Sequence, residues 1–160
     1  MGSHLPAPAA PIVIVVDDDA AVRGSLKFAL EAEGFAVHAY GKGDELFGDA
    51  DLADCACFII DQKLPGTTGL DLVTALRAQR IAAPVILITS APPPAVQERA
   101  ARAGVPIVEK PLLGNALLEC VRDATTVTVS SAGPACLSHF AACATDRVTG
   151  DSRMRGWSGK

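Results

Sequence analysis

Short apolar runs rich in Val and Ile alternate with segments of helical periodicity, and this alternation most constrains the fold. The runs are IVIVV at 12–16, FAVHA at 35–39, CFII at 57–60, PVILI at 84–88 and PIV at 106–108. Runs this short, bounded by Gly, Pro or Asp, are typical of strands buried on both faces. The sequence therefore predicts five buried strands.

Helical patterns separate and follow these strands. They occupy residues 20–33, 44–47, 70–79, 95–103 and 115–124, and the second is the shortest. Gly34 and Gly104 follow the first and the fourth of them, where a helix is expected to end. Strands that alternate with helices form a parallel sheet with helices on both faces, joined by right-handed crossovers. We therefore predict an α/β fold, a doubly wound (βα)5 sandwich around a five-stranded parallel sheet.

Composition excludes several classes of function. The 160 residues are 49% hydrophobic and 20% charged, which is typical of one globular domain with or without a tail. The net charge of -4 and the small number of aromatic residues (five Phe, one Tyr, one Trp) argue against a nucleic-acid interface. Apolar runs fall far short of the roughly 20 residues of a membrane span. Without a signal peptide pattern, we expect a cytoplasmic protein with no membrane partner.

The two ends of the chain differ from its middle. Residues 1–10 begin with MGSH, which resembles an expression-tag remnant, and we predict a disordered leader there. Residues 11–124 form the predicted domain. Residues 125–160 have no sustained period, so we predict a weakly structured or non-native tail. Within it, TTVTV at 125–129 suits a stray strand, and LSHFAACA at 137–144 suits one or two helical turns.

The five cysteines, at positions 55, 57, 120, 136 and 143, are an odd number in an apparently cytosolic chain. A disulfide framework is therefore not expected. The C-x-C pair at Cys55 and Cys57 leaves a metal site open as an alternative. No second pair with ligand spacing accompanies it, and His4, His38 and His139 stand apart. We interpret the cysteines as small buried hydrophobic residues near a strand.

Polar residues cluster where the predicted strands end. Asp17, Asp18 and Asp19 follow the first strand, Asp61 the third, Thr89 the fourth and Lys110 the fifth. Ligands of such sheets bind beyond the carboxyl ends of the strands, so we expect these side chains to converge. Taken singly, Asp19 suits a helix cap and Asp61 a turn residue. Taken together, they predict a functional site.

Converging carboxylates need a compensating charge, because they repel one another and resist desolvation. Water, a helix N-terminus, a lysine or a metal ion can supply it, and two or three acids at one point favour Mg²⁺, which takes oxygen ligands. With Mg²⁺ bound, a phosphoryl donor can approach and one carboxylate can attack phosphorus, giving an aspartyl phosphate. Lys110 and Thr89 supply the charge and the hydroxyl that stabilise the transferring group.

These motifs resemble those of the receiver domains of bacterial two-component response regulators. The resemblance covers residues 12–124 and rests on VVDDD at 15–19, IIDQKLPGTTG at 59–69, ILITS at 86–90 and EKP at 109–111. It implies a flavodoxin-like fold and a phosphoacceptor that takes a phosphoryl group from a sensor histidine kinase, with Mg²⁺ as cofactor, and then changes conformation. Residues 20–40 are also similar to FixJ-type receivers, which normally precede a helix-turn-helix domain.

The resemblance implies a role for each matching residue. Asp61 is the phosphoacceptor, Thr89 the switch hydroxyl and Lys110 the lysine of the family. Asp18 is a direct Mg²⁺ ligand and Asp17 acts mostly through water.

Three further features follow from the resemblance. Asp61 and the backbone carbonyl of Lys63 complete the metal site. Gly66 and Gly69 shape the loop after Asp61, and the Lys110–Pro111 peptide is expected to be cis.

Three positions depart from the family pattern. Ser90 follows the switch threonine where Ala or Gly is usual, which narrows access to Asp61. Ile107 replaces the usual Tyr or Phe of the last strand. PPP at 92–94 predicts a rigid loop before the fourth helix, and the alternative is that these prolines simply begin that helix.

Other functions stay open at this point. The chain is expected to be a regulatory domain and not a turnover enzyme. A homodimer is also expected, through the predicted fourth helix, last strand and last helix, at 95–103, 106–108 and 115–124. One alternative is a receiver fragment of a DNA-binding regulator, although no recognition-helix pattern follows Thr125 and this chain should not bind DNA. A phosphatase or dehalogenase would need a second acid at position 63, which is Lys63. A degenerate receiver would act as an interaction module without phosphorylation.

Overall fold

The structure, a computed structural model, describes residues 9–112 and 114–129. The chain order is β1 (Ile12–Val16), α1 (Ala20–Ala32), β2 (Ala36–Tyr40), a 3-10 helix (Glu45–Gly48), β3 (Cys57–Asp61), β4 (Lys63–Leu64), β5 (Thr67–Thr68), α2 (Gly69–Ala78), β6 (Val85–Thr89), α3 (Pro94–Ala103), β7 (Ile107–Glu109) and α4 (Ala116–Val129). Within the described ranges, no helix combines the length and the apolar character that crossing a membrane requires.

Five strands form one parallel sheet in the order β2-β1-β3-β6-β7. In chain order, β1 is followed by its neighbour β2 at one edge of the sheet, and the next strand, β3, pairs with the other side of β1. The strand order therefore reverses between β1 and β3, and the carboxyl ends of these two strands border the crevice where such sheets bind ligands. The predicted doubly wound fold is confirmed.

The sheet divides the core into two layers, because successive side chains of a strand point to opposite faces. One layer packs against α2, α3 and the 3-10 helix, with Ile14, Phe58, Ile60, Leu87 and Leu76 among its buried members. The other packs against α1 and α4, with Val13, Val15, Ile59, Leu30 and Val121. The sheet is thus apolar over most of both faces, and the buried polar residues of the described chain lie at strand ends.

The crossover from β2 to β3 differs from the predicted helix at 44–47. It contains only a 3-10 helix over Glu45–Gly48, whose Leu46 is buried. Gly41 and Gly43 precede this segment and Gly48 is its last residue, and glycine disfavours helix propagation. The described part of the chain therefore has four α-helices instead of five.

The interpretation of TTVTV as a stray strand is wrong, because α4 continues to Val129. Thr125 Oγ1 donates to Val121 O at 2.9 Å and Thr126 Oγ1 donates to Arg122 O at 2.7 Å. These bonds satisfy the threonine hydroxyls within the preceding helical turn. Ala124 also extends the buried stripe of the helix beside Val121. Tertiary packing therefore overrides the β propensity of this segment.

The prolines at 92–94 begin a helix, as the simpler interpretation predicts. Pro93 precedes α3 in an extended conformation and Pro94 is the first helical residue. The rigidity of this loop stays a prediction. The predictions for residues 1–8 of the leader, with His4, and for residues 130–160 of the tail, with Cys136, His139 and Cys143, lie outside the described residues.

Candidate functional site

The three polar residues that are buried as whole residues, among those the structure describes, lie at the carboxyl edge of the sheet. Asp17, directly after β1, is 0% exposed, Asp61 at the end of β3 is 5% exposed and Thr89 at the end of β6 is 3% exposed. Burying such groups costs free energy unless they find polar partners. This edge is therefore the candidate functional site.

Lys110 connects the two buried acids. Its Nζ lies 2.9 Å from Asp17 Oδ2 and 3.3 Å from Asp61 Oδ2, and its backbone N–H donates to Thr89 O at 2.8 Å. Partial burial lowers the pKa of Lys110, but the hydrogen bond to Asp17 and the charges of both acids outweigh it, so the pKa is raised overall. The ammonium group therefore compensates both carboxylates, a role that the sequence analysis assigns chiefly to a metal ion.

The Asp61 carboxyl has a raised pKa. Burial is the main cause, and the negative charge of Asp17 adds to it. Lys110 and the Lys63 N–H, which donates to Asp61 Oδ1 at 3.3 Å, lower the pKa in part. A carboxyl perturbed both by burial and by specific charges in a crevice is a candidate for chemistry.

The other two acids of the VDDD run point to different places. Asp19 is the N-cap of α1, where its Oδ1 accepts from Ala21 N at 2.9 Å and Val22 N at 3.4 Å, as predicted. Asp18 is exposed. One carboxylate oxygen of Asp18 lies within 4.8 Å of oxygens of Asp17 and Asp61.

This oxygen cluster fits a hard divalent cation. Its donors are carboxylates, without nitrogen or sulfur, and such donors suit Mg²⁺. Lys63, whose backbone carbonyl is the other predicted metal ligand, is exposed at the start of β4. Its N–H donates to Asp61 Oδ1, so its backbone lies beside the cluster.

The loop after Asp61 folds into a small antiparallel pair, β4 with β5, which the sequence analysis does not predict. Gly66 lies between the two strands with φ of +76°, a conformation that favours glycine. Gly69 begins α2 directly against β3. A Cβ at Gly69 would lie 2.6 Å from Asp61 O and 2.6 Å from Leu87 Cδ1. Glycine therefore lets α2 begin in contact with the strand that carries Asp61.

The three departures from the family pattern have distinct surroundings. Ser90 is exposed. Ala91 follows it with φ of +41°, which is unusual for a residue other than glycine. Ile107 is partly buried against the layer that contains α2. The Lys110–Pro111 peptide is cis, as the resemblance implies.

Sequence reasoning missed a second polar cluster, on the crossover after β2. Asp49 Oδ2 lies 2.6 Å from His38 Nδ1 and accepts from Tyr40 Oη at 2.7 Å, while Asp49 Oδ1 accepts from Asp51 N at 2.8 Å. Burial raises the pKa of Asp49, but these hydrogen bonds outweigh burial, so the pKa of Asp49 is lowered overall. The hydrogen bond to Asp49 in turn raises the pKa of Tyr40 to about 12. The expectation that His38 stands apart is wrong, because folding brings together residues that no local motif connects.

The C-x-C pair does not form a site. Cys55 packs in the layer with α2 and Cys57 in the layer with α1. Burial raises the pKa of the Cys55 thiol to about 12 and that of Cys57 further. Both are free thiols and behave as small buried hydrophobic residues, as interpreted from the sequence.

Comparisons with known proteins agree with this geometry. The family model of the response regulator receiver domain matches residues 13–122. Nodulation protein W of Bradyrhizobium diazoefficiens is 34% identical over 125 residues, which are 78% of this chain and 55% of that protein. The transcriptional regulatory protein FixJ of Azorhizobium caulinodans is 33% identical over 111 residues, which are 69% of this chain and 53% of that protein. The chain thus spans about half the length of these relatives.

A solved structure shows the same fold. The chemotaxis protein CheY4 of Vibrio cholerae is 25% identical, with a TM-score of 0.67 over 72% of this chain and 99% of that one. Its match to the described sheet and helices supports the flavodoxin-like fold.

Proposed function

Because this chain belongs to the family of response regulator receiver domains, which are regulatory signalling domains of two-component systems, we propose that it accepts a phosphoryl group on Asp61. The donor would be a phosphohistidine of a sensor histidine kinase, and the reaction would depend on Mg²⁺. The observation that carries this proposal is the position of Asp61, a buried carboxyl with a raised pKa that shares the Lys110 ammonium group with a second buried acid, Asp17.

The proposed chemical step is a displacement at phosphorus. A carboxylate oxygen of Asp61 forms the new O–P bond while the bond from phosphorus to the donor nitrogen breaks, and the leaving imidazole takes up a proton. Asp61 must be ionised to attack. The transferring group carries its charge on equatorial oxygens, so cationic groups and donors near Asp61 lower the barrier.

Among the described residues, Lys110 is the cation placed for that role. Its Nζ already lies 3.3 Å from Asp61 Oδ2, so it would hold one oxygen of the phosphoryl group once Asp61 is modified. Thr89 would donate its hydroxyl to another. Its position at the end of β6, next to the strand of Asp61, supports this role, and we propose it as the residue whose movement begins the conformational change.

Asp17, Asp18, Asp61 and the carbonyl of Lys63 would hold Mg²⁺. The metal, when bound, neutralises the acids and the incoming phosphoryl oxygens, which otherwise repel each other. Lys110 contacts both Asp17 and Asp61. The lysine would therefore stabilise the acids in the resting site, and both cations would act in the reaction.

Partners follow from the family. A receiver domain interacts with a sensor histidine kinase, and for this chain we propose an output surface on α3, β7 and α4, which would also serve a homodimer. A second candidate is the receiver part of a DNA-binding regulator. The similarity to FixJ, which is named a transcriptional regulatory protein, favours this candidate. The match covers 53% of FixJ, as expected if this chain corresponds to one part of such a regulator.

The test is phosphorylation by a small donor. The protein is incubated with Mg²⁺ and acetyl phosphate and its intact mass is recorded, beside Asp61→Asn and the control Asp71→Asn. Asp71 is also an acid paired with a cation, Arg99, but it lies outside the site.

We expect the parent and Asp71→Asn each to gain about 80 Da, the mass of one phosphoryl group. Asp61→Asn should gain no mass. A parent that binds Mg²⁺ but gains no mass would refute phosphoacceptance and favour a degenerate receiver. A gain retained by Asp61→Asn would assign the phosphoryl group elsewhere.

A further inference from the structure

We propose that Arg23 is a positioning residue for the Asp17 carboxylate. Arg23 is the fourth residue of α1, in its first turn or just beyond it, and its Nη1 donates to the backbone O of Asp17 at 2.6 Å. The guanidinium group thus reaches back to Asp17, the residue that directly follows β1. This inference rests on the proposed function for the use of Asp17, but the contact itself exists without metal or donor.

The backbone of Asp17 is held on both sides. Its N–H donates to Tyr40 O, at the end of β2, at 3.1 Å, and its carbonyl accepts from Arg23. The first contact attaches Asp17 to the neighbouring strand and the second attaches it to α1. Together they fix the two peptide groups that set the direction of the Asp17 side chain.

The fixed side chain has a partner at each oxygen. Asp17 Oδ1 accepts from Asp19 N at 2.9 Å, and Asp17 Oδ2 faces Lys110 Nζ at 2.9 Å. A small rotation of the Asp17 backbone would lengthen both bonds, because the side chain is fully buried and has little room to compensate. Arg23 therefore acts on the site through Asp17 and does not itself need to touch the metal or the phosphoryl group.

Gly41 makes room for this contact. A Cβ at Gly41 would lie 3.2 Å from Arg23 Nη1 and 3.6 Å from Arg23 Cζ. Gly41 directly follows Tyr40, whose carbonyl holds the Asp17 N–H. The guanidinium plane thus fits against the chain where β2 ends, and a side chain at position 41 would push it away from Asp17.

Arginine suits this position better than lysine. Its planar guanidinium carries several donors in a fixed arrangement and loses little freedom when it bonds, whereas a lysine offers a flexible point charge. Groups that orient metal-binding residues without touching the metal typically change metal affinity by 10–100-fold when removed. Removal of Arg23 should therefore raise the Mg²⁺ dissociation constant clearly, with only a small loss of folding stability.

The experiment compares Arg23→Met, Arg23→Lys and Gly41→Ala with the parent. Arg122→Met is the matched control, because Arg122 also bonds to the α1 region, at Glu33, but at the end remote from the site. Two signals are read by NMR without metal or donor, the Asp19 amide proton and the Lys110 ammonium group. The Mg²⁺ dissociation constant is measured by calorimetry, Tm by thermal unfolding, and the acetyl phosphate mass gain as above.

We expect Arg23→Met to shift the Asp19 amide upfield, to speed exchange of the Lys110 ammonium protons and to raise the Mg²⁺ dissociation constant about tenfold. Arg23→Lys should recover part of each effect. Gly41→Ala should move the same signals less, and should add nothing in the Arg23→Met background, because both changes act through one contact. Arg122→Met should lower Tm without changing the site signals.

Parental Asp19 and Lys110 signals in folded Arg23→Met would overturn the proposal, even with a lower Tm. If Arg23→Met does not fold, Gly41→Ala decides by the same signals. A shift of the Asp19 and Lys110 signals in Gly41→Ala supports the proposal, and signals identical to those of the parent overturn it. A parent that gains no mass from acetyl phosphate would refute the proposed function, while the metal-free signals would still decide the role of Arg23.

Discussion

Lys110 Nζ lies 2.9 Å from Asp17 Oδ2, although 93 residues separate the two along the chain. Asp17 has two acidic neighbours in sequence, yet its charge partner comes from the opposite end of the domain. The contact exists because β1 and β7 end at the same edge of one parallel sheet. The buried acids are therefore compensated by a cation of the chain itself, and this has measurable consequences.

Replacement of Lys110 should destabilise the metal-free protein. Lys110→Met leaves Asp17 and Asp61 buried beside each other without a cation, and breaking a buried pair from one side costs about 3–5 kcal/mol. Lys110 is 21% exposed, so we expect the lower end, about 3 kcal/mol, by urea unfolding. Saturating Mg²⁺ should recover part of the loss. Lys27→Met, which removes an exposed pair with Glu31, should cost well under 1 kcal/mol. Equal losses in both variants would contradict the compensating role.

Replacement of Asp61 should have the opposite effect. Because burial and Asp17 raise the pKa of Asp61 above its usual 3.8, the folded state holds the proton more tightly than the unfolded state. Ionised Asp61 therefore opposes folding, and Asp61→Asn should stabilise the metal-free protein at pH 7 by on the order of 1 kcal/mol.

The pH dependence of that gain follows from the same sign. The gain should be complete above the raised pKa of folded Asp61 and should vanish below pH 3.8, where the carboxyl is protonated in both states. Urea unfolding of Asp61→Asn and the parent between pH 3 and pH 8 checks this. A gain that stays constant or grows as the pH falls would show that the charge of Asp61 is not its cause.

Two glycines in helices should respond to alanine in opposite ways. Gly69→Ala places a Cβ 2.6 Å from Asp61 O and Leu87 Cδ1, so α2 must move away from β3, at a cost of about 3 kcal/mol. Gly24→Ala, within α1, meets nothing within 4 Å and should stabilise by about 0.5–1 kcal/mol, because alanine favours helix. Denaturant unfolding measures both. A mild effect of Gly69→Ala would mean that α2 does not begin in contact with β3.

Tyr40 should report directly on the second polar cluster. It is the single tyrosine of the chain, so its ionisation can be followed by ultraviolet absorbance without overlap from other tyrosines. We expect a midpoint near 12 in the parent, because Asp49 accepts the phenol hydrogen bond and its charge opposes ionisation. Asp49→Asn should lower the midpoint toward the ordinary value of 10, with burial and the charges of Asp51 and Glu45 keeping it somewhat above that value. Asp44→Asn, at a carboxylate that makes no cap hydrogen bond to the 3-10 helix, is the control and should leave the midpoint high.

Much of the fold is predictable because its determinants are local. The five strands are apolar runs, and four of the helices have apolar faces of the right period, so both elements and their alternation follow from short stretches of sequence. Asp19 as a cap and Pro94 as a first helical residue are local as well. The errors at 44–47 and 125–129 arise where intrinsic propensity is opposed by glycines or by packing of a helix on the sheet.

The alternation of strands and helices can be read from local sequence patterns, and so can the sheet edge at which the acids, Thr89 and Lys110 gather. Which of these groups become partners depends on how the elements pack. The pairing of Lys110 with Asp17 and Asp61, the reach of Arg23 to Asp17 and the cluster around Asp49 all join different elements. Local sequence patterns encode backbone conformation and burial, whereas such contacts depend on distances that exist only once strands and helices have packed.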